Sequence, residues 1–217
     1  AGDCGALLGR GLALLRQAQA RLDCERFHLD DRTHSPALDA GPADPHTITA
    51  RPVDWFAAER EAVGVLVSAC ADAGLVASAR ALAGCAADFY EHGGFYDDWR
   101  RTARTALAAC RRIGDRPGEA TMLRGLGSSL VEIGDADAAL STLRDARDLA
   151  LAVGDTEGAA MTGKDIAFVL GLTGRLDEAE AEARSAVLDL DRVGRHATRS
   201  LALTTLGFVR RQRGDTA

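Results

Sequence analysis

The stretch Leu126-Gly127-x-x-Leu130-x-x-x-Gly134-Asp135-x-x-x-Ala139-x-x-x-Leu143-x-x-Ala146 reads as a helix, a glycine stop and a second helix. Its landmarks return at a fixed interval in both directions. Stop glycines fall at Gly94, Gly134, Gly174 and Gly214, 40 residues apart, and a second series, Gly74, Gly114, Gly154 and Gly194, lies halfway between. A glycine therefore closes a segment every 20 residues over about two-thirds of the chain. Such a segment cannot bury its own apolar face and needs its neighbours for stability. The expected fold is all-α: a solenoid of antiparallel helix pairs, an α-α superhelix with a 40-residue period.

Laying the cycles over one another aligns small side chains. Trp99 falls with Ala139 and Ala179, Ala106 with Ala146 and Ala186, and Cys110 with Ala150. Small residues at fixed helical positions let neighbouring helices approach closely. Glycine at each stop takes the left-handed conformation that ends a helix without a Cβ penalty. Asp115, Asp135 and Asp155 follow their glycines directly and suit the N-cap of the next helix. Each helix should run about 17 residues, or roughly 25 Å.

The whole-chain numbers agree with that reading. Of 217 residues 47% are hydrophobic and only 5% aromatic, a composition suited to closely packed helices. A net charge of −6 disfavours direct nucleic-acid contact, which usually goes with a basic domain. No uncharged run is long enough to cross a bilayer; Ala62 to Ala71 is among the longest. The five cysteines, Cys4, Cys24, Cys70, Cys85 and Cys110, show no disulfide-like spacing, so reduced thiols and a cytoplasmic location are expected.

Before the regular body, residues 1–31 hold an amphipathic helix with Leu8, Leu12, Leu15 and Leu22 on one stripe, as the tail of a preceding domain would. Residues 32–53 carry Pro36, Pro42, Pro45 and Pro52 and read as a linker or loop. The repeats occupy 54–217, with Asp54 expected to cap the first helix. The last helix, with Leu201, Leu203, Leu206 and Phe208, is followed by Gly214 and three more residues, where the register calls for another helix. We expect the repeat domain to be cut short there, the natural chain continuing; the rival expectation is an exposed apolar end that dimerises.

The block from Leu126 to Ala139, with later copies at Ile166-Ala167, Leu170, Gly174, Ala179 and at Leu206-Gly207, Gly214, resembles the tetratricopeptide repeat. The family's usual period is stretched to 40 here and its late proline is missing. A narrower resemblance, to the C-terminal repeat region of SARP/AfsR-type antibiotic regulatory proteins, comes from Trp55-Phe-Ala-Ala-Glu-Arg60, Asp97-Asp98-Trp99 and Ile113 to Ala120. Those proteins are activators that join a DNA-binding domain, a STAND-class ATPase and a repeat sensor. The resemblance implies a non-catalytic regulatory module that controls the ATPase. Its partner would be a protein or peptide segment, foremost another domain of its own full-length chain, with a small-molecule effector as an option. No Gly-x4-Gly-Lys-Ser/Thr phosphate loop is present, and Lys164 after Gly163 lies inside a helical pattern. The alternatives are a stand-alone adaptor for protein–protein contact and a small-molecule receptor or enzyme whose pocket the Arg32–Pro52 segment closes.

In the tetratricopeptide pattern the first helix of each pair lines the groove. Matching positions give one row of Gly84, Arg124, Lys164 and Thr204, a second of Asp88, Ser128, Phe168 and Phe208, and a third of His92, Glu132, Leu172 and Gln212. The candidate partner-binding residues are therefore Arg124, Ser128, Glu132, Lys164, Phe168, Leu172, Thr204 and Phe208. Two cations beside two phenylalanines could hold a carboxylate-bearing segment, the cations binding charge and the rings supplying apolar area. The competing expectation is that Phe168 and Phe208 simply pack between helices. Reversing both cations, with Arg124→Glu and Lys164→Glu, is expected to abolish binding at unchanged helical content.

Other chemistry is weaker. Cys24, His28 and His34 with Asp30 and Asp31 could ligate a metal, but zinc sites usually show two ligand pairs, and a polar helix end is the simpler reading. Cys70 and Cys110 occupy equivalent repeat positions, which points to packing rather than nucleophilic catalysis. Arg100, Arg101, Arg104, Arg111 and Arg112 form a cationic stretch flanked by Asp97, Asp98 and Asp115, the pattern of a solvated charged face. No catalytic residue, cofactor or metal is assigned.

Overall fold

The computed structural model describes residues 52–214, and these form helices and short turns without a strand. In chain order they are α1 (Pro52–Asp72), α2 (Val76–Gly93), α3 (Tyr96–Ile113), α4 (Arg116–Glu132), α5 (Ala136–Ala152), α6 (Thr156–Leu172), α7 (Leu176–Arg192) and α8 (His196–Arg213). This is the expected all-α repeat of tetratricopeptide type. The amphipathic stretch 1–31, nearly all of the proline-rich interval 32–53, and the Cys24, His28, His34 cluster lie outside the described residues.

The twenty-residue glycines do what the spacing requires. Each has a positive φ, from 70° at Gly94 and Gly194 to 89° at Gly214. That left-handed turn lets the next amide reach back five residues, as in Asp135 N to Leu130 O at 3.0 Å and Asp155 N to Ala150 O at 2.9 Å. The aspartates then open the following helix. Asp115 accepts from Gly118 N at 3.0 Å, Asp135 from Ala138 N at 3.2 Å and Asp155 from Gly158 N at 2.8 Å. The expected cap at Asp54 is corrected. Helix α1 is described from Pro52, so Asp54 already lies inside the helix rather than at its cap.

The chain divides into two compact units at Gly118/Glu119. In the first, α2 packs on α1 and on α3, and α1 also touches α3. Its core is aromatic: Phe56 stacks on Phe89 with ring centroids 4.6 Å apart and meets Tyr90 edge-on at 5.1 Å. Trp99 and Cys70, Cys85 and Cys110 complete it, and all three cysteines are buried and outside any disulfide. The equivalence of Cys70 and Cys110 is thus one of packing.

In the second unit α6 packs on α5 and α7, α8 packs on α7, and α8 also reaches α6. The contact two helices onward stacks one repeat on the next. Its core repeats the small-residue column: Ala139, Ala146, Ala179 and Ala186 are all buried. Leu143 of α5 seats on Gly127 of α4 so closely that a Cβ on the glycine would stand 2.6 Å from Leu143 Cγ. Full burial of a side chain such as Leu143 stabilises by about 1.5–3 kcal/mol.

Two stability measurements test this packing. Gly127→Ala should destabilise the chain by about 1–3 kcal/mol in urea unfolding, because Leu143 must move. At the matching position Gly207, where the nearest atom to an added Cβ is Arg211 Nη1 at 3.8 Å, alanine should stabilise by about 0.5–1 kcal/mol through helix propensity. A second test uses Tyr90. Burial pushes its phenol up from 10.0 to about 12, with Asp98 adding to the shift. The unfolded phenol ionises first, so its contribution is complete below pH 10 and declines as pH rises to 12. Wild type minus Tyr90→Phe should lose roughly 2–3 kcal/mol over that interval in unfolding curves taken at successive pH values.

Candidate functional site

The groove rows bring together a charged cluster and an aromatic pair in the second unit. Arg124 of α4 and Lys164 of α6 stand one repeat apart, and both are more than nine-tenths buried. They converge on Asp165, itself 7% exposed: Arg124 Nη1 lies 3.5 Å from Oδ2, and the Lys164 ammonium contacts Oδ1. Charges so deep are tolerated only when paired. Arg124 and Lys164 thus share the Asp165 carboxylate.

The remaining row residues differ in role. The Ser128 hydroxyl is buried and donates to the Arg124 carbonyl at 3.1 Å, so it serves its own helix. Phe168 and Phe208 are half-buried and meet each other, with centroids 5.2 Å apart and planes tilted by 46°. Phe208 also covers Gly171, where a Cβ would come within 2.8 Å of its ring. The two rings thus pack between α6 and α8 while keeping an accessible edge. Thr204 is exposed, Leu172 is 53% exposed and Glu132 is half-buried. Buried charge, a ring pair and exposed Thr204 and Leu172 therefore sit along one set of first helices.

Asp165 was not among the sequence candidates, yet it joins the two cations. Its signal was present: the equivalent positions hold Gly125 and Thr205, so a carboxylate breaks a column of small residues. The expectation that Arg124→Glu with Lys164→Glu leaves the helices intact does not survive the burial of all three side chains, because it would place three carboxylates together.

Elsewhere the charged features are structural. In the first unit Arg100 pairs with Asp97 at 2.7 Å, Arg101 with Asp98, and Arg112 donates to the Ala71 carbonyl at the end of α1. Asp115 lies 3.4 Å from Arg80. His92 Nδ1 donates to its own helix at the Asp88 carbonyl, 2.8 Å away. Burial pushes the Cys70 thiol up, away from the thiolate a nucleophile needs. Among the described residues no group of three or more His, Cys, Asp or Glu could hold a metal ion. None of the described helices is long and apolar enough to cross a membrane.

A family model described as Tetratricopeptide repeat matches residues 78–152, about a third of the chain. Together with the glycine-spaced helix pairs, it supports a tetratricopeptide domain, a class of scaffold that binds protein or peptide partners and is generally non-catalytic. No curated protein matches the chain.

The burial of the cluster predicts a large effect for the double reversal. Arg124→Glu with Lys164→Glu should lower unfolding stability by about 3–5 kcal/mol, the scale for breaking a buried pair. Circular dichroism at increasing urea measures it, and an unshifted midpoint would mean that the side chains are solvated.

Proposed function

We propose that the second unit binds a carboxylate-bearing protein segment across its first helices, and that the chain is a non-catalytic regulatory module. The observation that carries this reading is the cluster of Arg124, Lys164 and Asp165 beside the Phe168–Phe208 pair. Backbone or side-chain carboxylates are strong acceptors for guanidinium and ammonium groups, most of all where water is scarce. The half-buried rings would take the apolar part of the same segment. Little ordering entropy is lost on binding because the helices are already packed.

Within that class we favour the sensor end of a STAND-type transcriptional activator of the SARP/AfsR kind, with the bound segment coming from another domain of the same protein. The support is the sequence likeness at Trp55–Arg60 and Asp97–Trp99. In the first unit these two stretches meet, with Arg60 Nη1 donating to Asp98 Oδ2 at 3.0 Å and its guanidinium 4.5 Å from the Phe95 ring centroid. Regulation of an ATPase would then follow if the segment binds one state of the repeats better than the other. An open reading frame encoding a Gly-x4-Gly-Lys-Ser/Thr loop ahead of these repeats supports this narrower reading, and its absence leaves the adaptor.

Binding can be tested without disturbing the fold. A library of peptides with free C-terminal carboxylates is panned against the full chain, and the best binder is remade as its amide. Amidation should weaken binding at least about tenfold, as should Lys164→Met and the exposed Thr204→Glu. Affinity should fall as salt rises. A binder indifferent to amidation and to Thr204→Glu would remove the groove as the site.

A further inference from the structure

We propose that the outward face of α1 is the docking surface for the chain's own basic, leucine-bearing stretch at 5–25. Helix α1 is apolar on two sides. Phe56, Val63, Val67 and Cys70 are buried in the core of the first unit, while Ala58, Ala62, Val65 and Ala69 form a second strip at i, i+4, i+7 and i+11, and all four are exposed. Val65 is 68% exposed. A helix that is apolar on both sides is normally covered on both. The later second helices, α3, α5 and α7, do not share the strip: where α1 has Val65 they have Thr105, Asp145 and Ser185. The same face is the one through which a second helix meets its predecessor. Asp98, at the position of Ala58, accepts from Arg60 of α1 at 3.0 Å, and Glu182, at the position of Ala62, accepts from Arg147 of α5 at 2.8 Å.

Charge and spacing select the occupant. Along one edge of the strip stand Glu61 and Asp72, both exposed, and neither is ion-paired with another described residue. With Gly64 and Val65 they line a concavity of about 640 Å³, whose far wall is Asp98, shared by Arg60 and Arg101. The stretch 5–25 complements both features. Leu8, Leu12, Leu15 and Leu22 make its stripe, and on a helical wheel Arg10 and Arg21 fall on one edge of that stripe. Arg10 and Arg21 are eleven residues apart, and so are Glu61 and Asp72. Seen from the N-terminus, the charged edge lies on the same side of the apolar strip in both segments. An antiparallel approach therefore sets Arg21 over Glu61 and Arg10 over Asp72, with leucines on alanines; a parallel one separates the two edges.

The tether allows this. The interval 26–51 spans roughly 25–30 Å as a flexible chain. Antiparallel docking needs less, because it returns residue 25 to the start of α1 at a helix–helix distance of about 8–10 Å. The 20-residue register would put a helix just before α1, but Pro36, Pro42 and Pro45 oppose one there, which leaves the leucine stretch as the nearest helix-former upstream. A second copy fits poorly, since two α1 faces meeting antiparallel would set acid edge on acid edge. The surface belongs to the first unit and does not draw on the cluster at Arg124 and Lys164.

The test is a disulfide trap in the full chain, with Cys4→Ser and Cys24→Ser leaving Cys70, Cys85 and Cys110, all buried, as the native thiols. Ala18→Cys faces Val65→Cys in the antiparallel register, whereas Ala13→Cys lies on the opposite side of the leucine stripe. In glutathione buffer the first pair should close within the chain at an effective concentration at least about tenfold above that of Ala13→Cys with Val65→Cys. Arg10→Glu with Arg21→Glu should cut that advantage at least about tenfold, and adding Glu61→Arg with Asp72→Arg should restore it. These α1 positions are exposed, so the circular dichroism spectrum should stay unchanged. Equal trapping of the two pairs, indifference to charge reversal, or no rescue by the swap overturns the proposal. A first pair that closes only between chains also overturns it, since the occupant would then come from a second copy.

Discussion

The left-handed glycine at the end of each helix is the constraint on which the rest of the structure depends. An α-helix advances 100° per residue, so one residue more or less before the stop would swing the next helix's apolar stripe off its neighbour. The eight positive-φ glycines hold that phase every 20 residues. The return amide to the carbonyl five residues back fixes the exit direction, and three aspartates fix the entry. Only then do small buried residues such as Ala139 and Ala179 recur at one position of successive repeats and allow close approach to the helix between them. Local termination comes first, and packing energy follows from it.

This order explains why so much of the fold was legible. Glycine stops and following aspartates are local signals, each tied to a backbone requirement that few other residues meet. Aligning them gave the helix boundaries, the helix pairs and the packing role of Cys70 and Cys110. Where the local signal was weaker, the structure differs: Asp54 suits a cap by its side chain, but no stop glycine precedes it, and it lies inside α1.

The site was legible in outline and not in depth. Repeat alignment found Arg124 and Lys164 on one row and Phe168 and Phe208 on the next, and α6 and α8 bring the two rings together. It could not show that the two cations are buried. Periodicity places long side chains on a face, but burial depends on which neighbour covers them, and a lysine can reach outward or fold in. Asp165 was passed over for a related reason. Acidic residues are commonest on solvated faces, and only its company of Gly125 and Thr205 marked it as an exception.

The repeat does not require this cluster in order to fold. At the positions equivalent to Arg124 and Lys164 the chain uses Gly84 and Thr204, and at that of Asp165 it uses Cys85, Gly125 and Thr205. Uncharged residues thus serve the same register elsewhere in the chain. Replacing a buried ionic group with apolar residues of similar volume is often neutral or stabilising, so stability alone does not account for charge at these three positions. Conformational specificity is an unconvincing substitute, because the glycine stops already set the helix phase. The carboxylate-bearing segment proposed above would account for charge at these positions and for its placement on the first helices.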